Sequence, residues 1–205
     1  MPRARRRIRL DNDARRAQLL DLARKAFSDR SYDDVSIDDL ARDAKISKGL
    51  LYHYFPTKRD LYVAGLREIA DELIQRVTSI PTDLAPAERV RAGLDAYLDH
   101  VGHHSRAFVS LMRGGIGSDP EVAQVVESVR RRLADRFLEG SPFAPMLAGN
   151  VRFETAVRGW LGFVEGASIH WCADMSRMSR AELRDMLERI LFAILPIAAP
   201  GLLTT

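Results

Sequence analysis

Between Ser47 and Tyr54 the chain reads SKGLLYHY, which puts an ammonium, two phenols and an imidazole within about two helical turns. If the stretch is helical, Leu51 faces a core together with Phe55 four residues on. Lys48, Gly49, Leu50, Tyr52 and His53 are then left on or near the outer side. An ordinary solvated helix face carries Glu, Lys and Gln. A cation, hydroxyl donors, a ring nitrogen and a small residue that lets the backbone approach are instead what a DNA major groove accepts. Just beyond, Thr57 and Asp60 have the spacing of a capping box, and Lys58 lies in the first turn of the helix so started, where free N–H groups and the helix dipole favour a phosphate.

These groups need elements to hold them. Ser36 with Asp39 three residues later forms a second capping-box pattern, so a helix starts near Ile37, with Ile37, Leu40, Ala41 and Ala44 on one face. It breaks around Lys45 and Ile46. Ser47 caps the next short helix, Lys48 to Tyr54, which ends near Phe55 because a residue before proline is pushed out of the α region. Two short helices joined by a tight turn make a helix-turn-helix. Ahead of it, residues from about Asp13 to Asp29 carry Leu19, Leu22, Ala23, Ala26 and Phe27 at helical spacing, and Tyr32 and Val35 in the following turn close a small core.

The run Ser47 to Leu61, SKGLLYHYFPTKRDL, closely resembles the signature of the tetracycline-repressor (TetR) family of one-component transcription regulators, and the resemblance covers Ala14 to Leu66. It implies that double-stranded DNA is the partner, that Lys48, Leu50, Tyr52 and His53 sit in or beside the groove, and that Tyr54 and Lys58 bind phosphates. Ser47 and Gly49 share that surface. Lys45 departs from the family, which usually has Gly in the inter-helix turn. A positive φ at a non-glycine residue costs on the order of 1 kcal/mol, tolerable if Lys45 reaches DNA.

Length and composition agree with this reading. The 205 residues suffice for a small domain and a medium α-helical one. The net charge of +3 is unevenly divided: residues 1–70 carry 16 Lys and Arg against 11 Asp and Glu, and the remainder 15 against 17. Arg3, Arg5, Arg6, Arg7 and Arg9 form a basic arm ahead of the first helix, of a kind that is disordered until it follows DNA phosphates or enters a minor groove. No apolar run approaches the ~18 residues of a membrane helix, and MPRARRRIRL lacks the apolar stretch of a secretory signal, so a cytoplasmic protein is expected. The single Cys172 has no partner for a disulfide or for a metal site.

Further along, Leu61, Tyr62, Leu66, Ile69, Ala70, Leu73 and Val77 continue one stripe from about Lys58 to Thr78. A rod of about 30 Å would tie the reading head to whatever follows. The fifth helix has Pro86 near its first turn and Val90, Leu94, Tyr97, Leu98 and Val101 on one face. A shorter sixth helix covers Ala107 to Arg113. Asp119 caps a seventh, with Pro120 at its first position, which runs to about Leu138 through Val122, Val125, Val126, Val129, Leu133 and Phe137. The eighth, about Val151 to Ala173, includes Gly159, Gly162 and Gly166. Each glycine costs about 1 kcal/mol against alanine, which suggests close approach by another helix. A capping box at Ser179 and Glu182 starts the ninth, Arg180 to about Leu195. Both last helices have wide apolar stripes, and the expectation is a homodimer in which they pair with their symmetry mates. The fold read from this pattern is all-α with about nine helices: a basic arm and three-helix helix-turn-helix unit over residues 1–57, and a ligand-binding and dimerising helical bundle over 58–205, of which 58–78 is the connecting helix.

Enzymatic chemistry finds no support. His103 and His104, adjacent on a helix, diverge by roughly 100° and have no third metal ligand at a suitable spacing. No phosphate-binding glycine loop or nucleophile elbow occurs, so neither cofactor nor metal is expected. The bundle should instead hold a mostly apolar cavity for a small effector, with Tyr97, Phe108, Met112, Arg113, Trp160, Phe163 and Glu165 as candidate contacts, and His100 and Trp171 of similar character. Glu165, in an apolar stretch, would need a partner if buried. The function so read is a sequence-specific regulator, a repressor released by an apolar or amphipathic ligand. A ligand-independent regulator is the alternative, favoured by an absent or filled cavity, and an enzyme or carrier would keep its activity without the first 60 residues or so.

Overall fold

The computed structural model describes residues 2–113, 119–139 and 149–200, with the backbone alone for residues 2–11 and for Leu138. Among the described residues there are nine α-helices and no strand: α1 Pro2–Asp29, α2 Ile37–Asp43, α3 Lys48–Tyr54, α4 Lys58–Thr78, α5 Pro86–His103, α6 Ser105–Arg113, α7 Pro120–Leu138, α8 Val151–Ala173 and α9 Arg180–Ala198.

Short polar side chains set most of the helix starts. Ser47 Oγ accepts the Leu50 N–H, and reciprocal boxes form at Thr57–Asp60 and Ser179–Glu182. Asp119 accepts from the N–H groups of Glu121 and Val122, and Asn150, whose capping role the pattern did not reveal, accepts from Phe153. The cap at Ser36 is one-sided. Its hydroxyl takes the Asp39 N–H, but the Asp39 carboxylate accepts from the Arg42 guanidinium rather than from the Ser36 backbone.

Three boundaries differ from the sequence reading. α1 begins at Pro2, so the backbone of the basic arm is helical and continuous with the first helix instead of a coil ahead of it. Arginine is a good helix former and proline is at no disadvantage at a first helical position. α6 starts at Ser105, two residues early, because the chain turns only at His104. α9 runs through Pro196 to Ala198. The missing N–H costs one hydrogen bond in the last turn, where the helix is about to end anyway.

Two apolar clusters organise the chain. The first gathers Leu19, Ala23 and Phe27 of α1, Ile37 and Leu40 of α2, Leu51 of α3, Phe55, and Leu61, Tyr62 and Leu66 of α4. α1 crosses α4 so closely that a Cβ on Gly65 would lie 3.2 Å from the backbone of Ala23, so a side chain there would require α1 to give by a few tenths of an ångström. The second cluster holds Leu73 and Val77 of α4 with Leu94, Leu98 and Val101 of α5, Phe153, Val157, Trp160 and Val164 of α8, and Leu183, Leu187 and Leu191 of α9. Met186, Ile190 and Ile194, read as part of the ninth helix's stripe, are half-buried against this cluster, while Ala193 faces outward.

α7 belongs to both clusters. Val122 and Val125 in its first turns are buried in the first, whereas Val129, Leu133 and Phe137 pack against the second. Its ends are also held by charge. Arg59 grips Asp119 with two bonds of 2.6 and 2.7 Å and reaches Glu121 at 3.1 Å, and Arg67 takes Glu121 too.

Where α5 meets α4, His100 is buried, its ring 4.8 Å from that of His104, with neither Nδ1 hydrogen-bonded among the described residues. Burial, reinforced by His104 and to a lesser degree by Arg76, lowers its pKa to about 4, against smaller opposing effects of Glu72 and Asp99. The folded value lies below the unfolded one near 6.5, so the unfolded chain binds the extra proton first and stability falls as pH drops through that interval. Unfolding in urea should therefore cost about 2 kcal/mol less at pH 5 than at pH 7 through this group, and His100→Phe should remove that slope. Equal slopes in the two proteins would show that His100 does not titrate in this way.

Candidate nucleic-acid interface and ligand cavity

The turn between α2 and α3 bends at Lys45, whose φ of 55° is the left-handed conformation expected for that position. The bend is held by the Ile46 N–H donating to the Ala41 carbonyl at 3.0 Å. α3 then docks by Leu51, with Phe55 beside it; their exposures of 0% and 3% fix which face looks out. Lys45, Ser47, Lys48, Gly49 and His53 are exposed, while Leu50, Tyr52 and Tyr54 are half-buried. Tyr52 and Tyr54 rest part of their rings on the first cluster. A Cβ on Gly49 would find nothing nearer than Ser47 Oγ at 4.0 Å, so this face is open to a large partner.

Three of these groups have partners that the sequence did not disclose. Lys48 Nζ lies 2.8 and 3.0 Å from the carboxylate oxygens of Asp38, which raises its pKa and holds the ammonium over the α2–α3 junction. Tyr54 Oη donates to Asn12 on α1 at 3.1 Å, tying the reading helix to the first one. Lys58 Nζ stands 4.4 Å above the ring of Tyr32, close to the N-terminus of α4. A cation fixed over an aromatic ring at a helix start adds to the positive field of the free N–H groups there.

Some 20 residues of α4, α5, α7, α8 and α9 and the turn after α4 line a partly open cavity of about 340 Å³. Its wall is mostly apolar: Leu94, Leu133, Phe137, Phe153, Trp160 and Val164 contribute. Tyr97, Trp160 and Glu165 line it, as expected. Phe108, Met112, Arg113 and Phe163 do not. Phe108 packs edge-on behind Tyr97, ring centres 6.5 Å apart; Met112 is half-buried on α6, and Arg113 is exposed. Phe163 points away from the bundle with 43% of its surface exposed. Neither His100 nor Trp171 reaches the cavity; the Trp171 ring abuts Gly102 and its Nε1 donates to the Met178 carbonyl.

Glu165 has the partner its burial requires. Arg130 of α7 donates to both carboxylate oxygens, at 2.8 and 2.7 Å, which raises the arginine pKa further. Arg130 escaped the sequence reading because a charge is easily assigned to the wet side of a helix. Yet it occupies the register of Val126, Leu133 and Phe137, at intervals of three and four, which was the available signal. Burial, with the Glu165 charge adding to it, pushes the Tyr97 phenol well above its usual range, so it stays a neutral hydroxyl. Cys172 is likewise driven up by burial, to about 11. Among the described residues no three His, Cys, Asp or Glu side chains gather as a metal site, and no helix is long and apolar enough to cross a membrane.

A helix-turn-helix with an open reading face, mounted on an α-helical bundle that lines a cavity, is an arrangement suited to a DNA-binding transcription regulator. Comparison with known proteins gives the family. Residues 19–65 match the family model described as bacterial regulatory proteins, tetR family, and residues 86–194 the one described as tetracyclin repressor-like, C-terminal domain; the chain belongs to the TetR family. It is 33% identical over 132 residues to the transcriptional activator FasR of Mycolicibacterium smegmatis, covering 64% of this chain and 60% of that one. It is 30% identical over 128 residues to the transcriptional regulator EthR of Mycobacterium tuberculosis, covering 61% and 59%. The chain thus spans about three fifths of the length of these relatives. A solved TetR-family regulator from Streptomyces coelicolor superposes with a TM-score of 0.80 at 34% identity, over 92% of this chain and 83% of the other. FadR of Bacillus subtilis, solved in complex with stearoyl-CoA, shares the fold at a TM-score of 0.65 and 13% identity, over 87% and 97%.

Proposed function

We propose that this protein is a homodimeric, ligand-responsive repressor that holds an operator through α3 and releases it when a small apolar or amphipathic molecule enters the bundle. The single observation carrying the DNA part is the orientation of α3: Leu51 and Phe55 are buried while Lys48, Gly49 and His53 are exposed beside the hydroxyl-bearing rings of Tyr52 and Tyr54. In this reading Lys48, Leu50, Tyr52 and His53 meet base edges, and Tyr54, Lys58 and Lys45 meet phosphates, with Ser47 and Gly49 lining the approach.

The dimer is supported by an apolar strip that nothing among the described residues covers. Among the described residues nothing lies within 4 Å of a Cβ position at Gly159, Gly162 or Gly166 of α8; Phe163 is exposed on the same helix, and Ile197 of α9, near Arg152 of α8, is exposed by 69%. Two such faces joined about a twofold axis would present two α3 helices to one side, as paired half-sites require. The cavity supports a ligand over the ligand-independent alternative, since about 340 Å³ of mostly apolar space is enough for a small organic molecule. Such names among the relatives as the activator FasR and the repressor KstR2 show that the sign of regulation differs between them. A ligand that separates the reading heads weakens DNA binding by its coupling energy, which favours repression.

A mobility-shift titration on the DNA upstream of its own gene tests the assignment. Tyr52→Ala should cost about tenfold or more in affinity and relax sequence choice, whereas Lys58→Ala should weaken all duplexes alike and lower the salt slope by about 1. Undiminished binding by both variants would remove α3 and the α4 N-terminus from the interface.

A further inference from the structure

We infer that Asp119, at the start of α7, is a positioning residue for DNA reading: with Arg59 it sets the angle at which the helix-turn-helix unit is held, so that α4 and α7 carry the reading head as a locked pair. Four observations on different parts of the pair converge. At the DNA end, Asp119 accepts both Nε and Nη2 of Arg59, the residue after Lys58, and Val122 and Val125 are buried in the first cluster against the head. Halfway along, Arg132 of α7 takes Asp71 of α4 at 2.6 Å. At the far end, Arg136 donates to the carbonyls of Thr78 and Ile80, where α4 stops. Between these staples, Arg130 holds Glu165 at the cavity.

The geometry explains why two helices are needed. α4 enters the three-helix unit with α1 packed along it, and α1 also touches α6. The start of α7 adds an attachment off the axis of α4 on the Arg59 side, which limits roll of the unit about that axis. The Arg59–Asp119 grip is bidentate, and a planar fork against a carboxylate tolerates little rotation. The interaction holds the Asp119 carboxyl at about 2, chiefly through Arg59, so it remains ionised throughout the range in which the protein would work. The inference uses the proposed dimer, because roll of one head alters fit only when two heads must match two half-sites at once.

The test compares two DNAs with the full-length protein: a duplex containing two half-sites, selected by the wild-type protein from random sequence, and a duplex carrying one half-site of it. Asp119→Ser keeps a hydroxyl cap for the Glu121 and Val122 N–H groups while removing the carboxylate; Arg59→Ala removes the other partner. Each should lower affinity for the two-half-site duplex about tenfold and change affinity for the single half-site by less than about twofold, and the double variant should be no worse than either single. Equal losses on both DNAs, additive losses in the double variant, or no loss would each overturn the positioning role; the first would mean a direct phosphate contact by Arg59 or a general loss of the head. Should the selection recover no duplex with two half-sites, the dimeric reading itself fails, and the positioning role with it.

Discussion

Leu51→Ala should unfold the DNA-reading head while leaving the bundle folded. Leu51 is fully buried among Leu40, Phe55, Leu61 and their neighbours in the first cluster. Removing such a side chain costs about 3 kcal/mol, the lost transfer energy plus that of the cavity left behind. A three-helix unit of this size buries too small a core to absorb that loss. The chain reports its two halves separately: both tryptophans, Trp160 and Trp171, lie in the second cluster, so their fluorescence follows the bundle while far-ultraviolet circular dichroism follows all helices. Expected is a helical loss at low urea in the variant that precedes the tryptophan transition, together with severely weakened operator binding. Coincident transitions at the wild-type midpoint and intact binding would show that α3 does not depend on this contact. The contacts of α7 with the head give the two halves a shared boundary, so some of the loss should also appear as a small shift of the tryptophan transition.

The parts legible in the sequence were those where one residue type has one physical use. Ser47, Thr57 and Ser179 can begin helices as few other residues can, and Leu51 with Phe55 before a proline leaves little choice of face. Lys45 was singled out as standing in a glycine position, and its φ of 55° is that position's backbone. Legibility failed where a helix offers two apolar faces. Trp160 and Phe163 are three residues apart on α8 and so about 60° apart around it. One lines the cavity and the other looks outward, and periodicity alone does not assign which. Phe108, Met112 and Arg113 were drawn toward the cavity by character, but α6 stands behind the Tyr97 ring and not at the wall. Charged groups were hidden for the opposite reason. Arg130 and Asp38 look like solvated residues until their partners, 35 and 10 positions away, come within hydrogen-bond distance, and Asp119, legible as a helix cap, gives no sign of its partner 60 positions away.

Phe163→Asp should convert the proposed dimer to a monomer and abolish cooperative operator binding without unfolding the chain. In the single chain this side chain is 43% exposed and stands on the glycine-lined face of α8, so an aspartate there remains in water and the fold tolerates it. Across a twofold axis the same substitution acts twice. Each carboxylate would enter an apolar contact facing the partner's copy, and an unpaired charge removed from water costs several kcal/mol even after relaxation. Two such penalties exceed what an interface in the usual range can lose and persist at micromolar protein. The measurement is sedimentation velocity across a dilution series, with circular dichroism to establish that the helices are intact. Gly162→Leu provides a second test through sterics, since a branched side chain would hold the facing helices apart where a Cβ meets nothing among the described residues. If both variants sediment as the wild-type protein does, the exposed strip of α8 and α9 is not the contact between copies, and the separation of the two α3 helices must be set elsewhere. If both are monomeric and bind a single half-site as the wild type does, the weakness of each head alone accounts for the need for two, because its few base and phosphate contacts give only the affinity of one half-site.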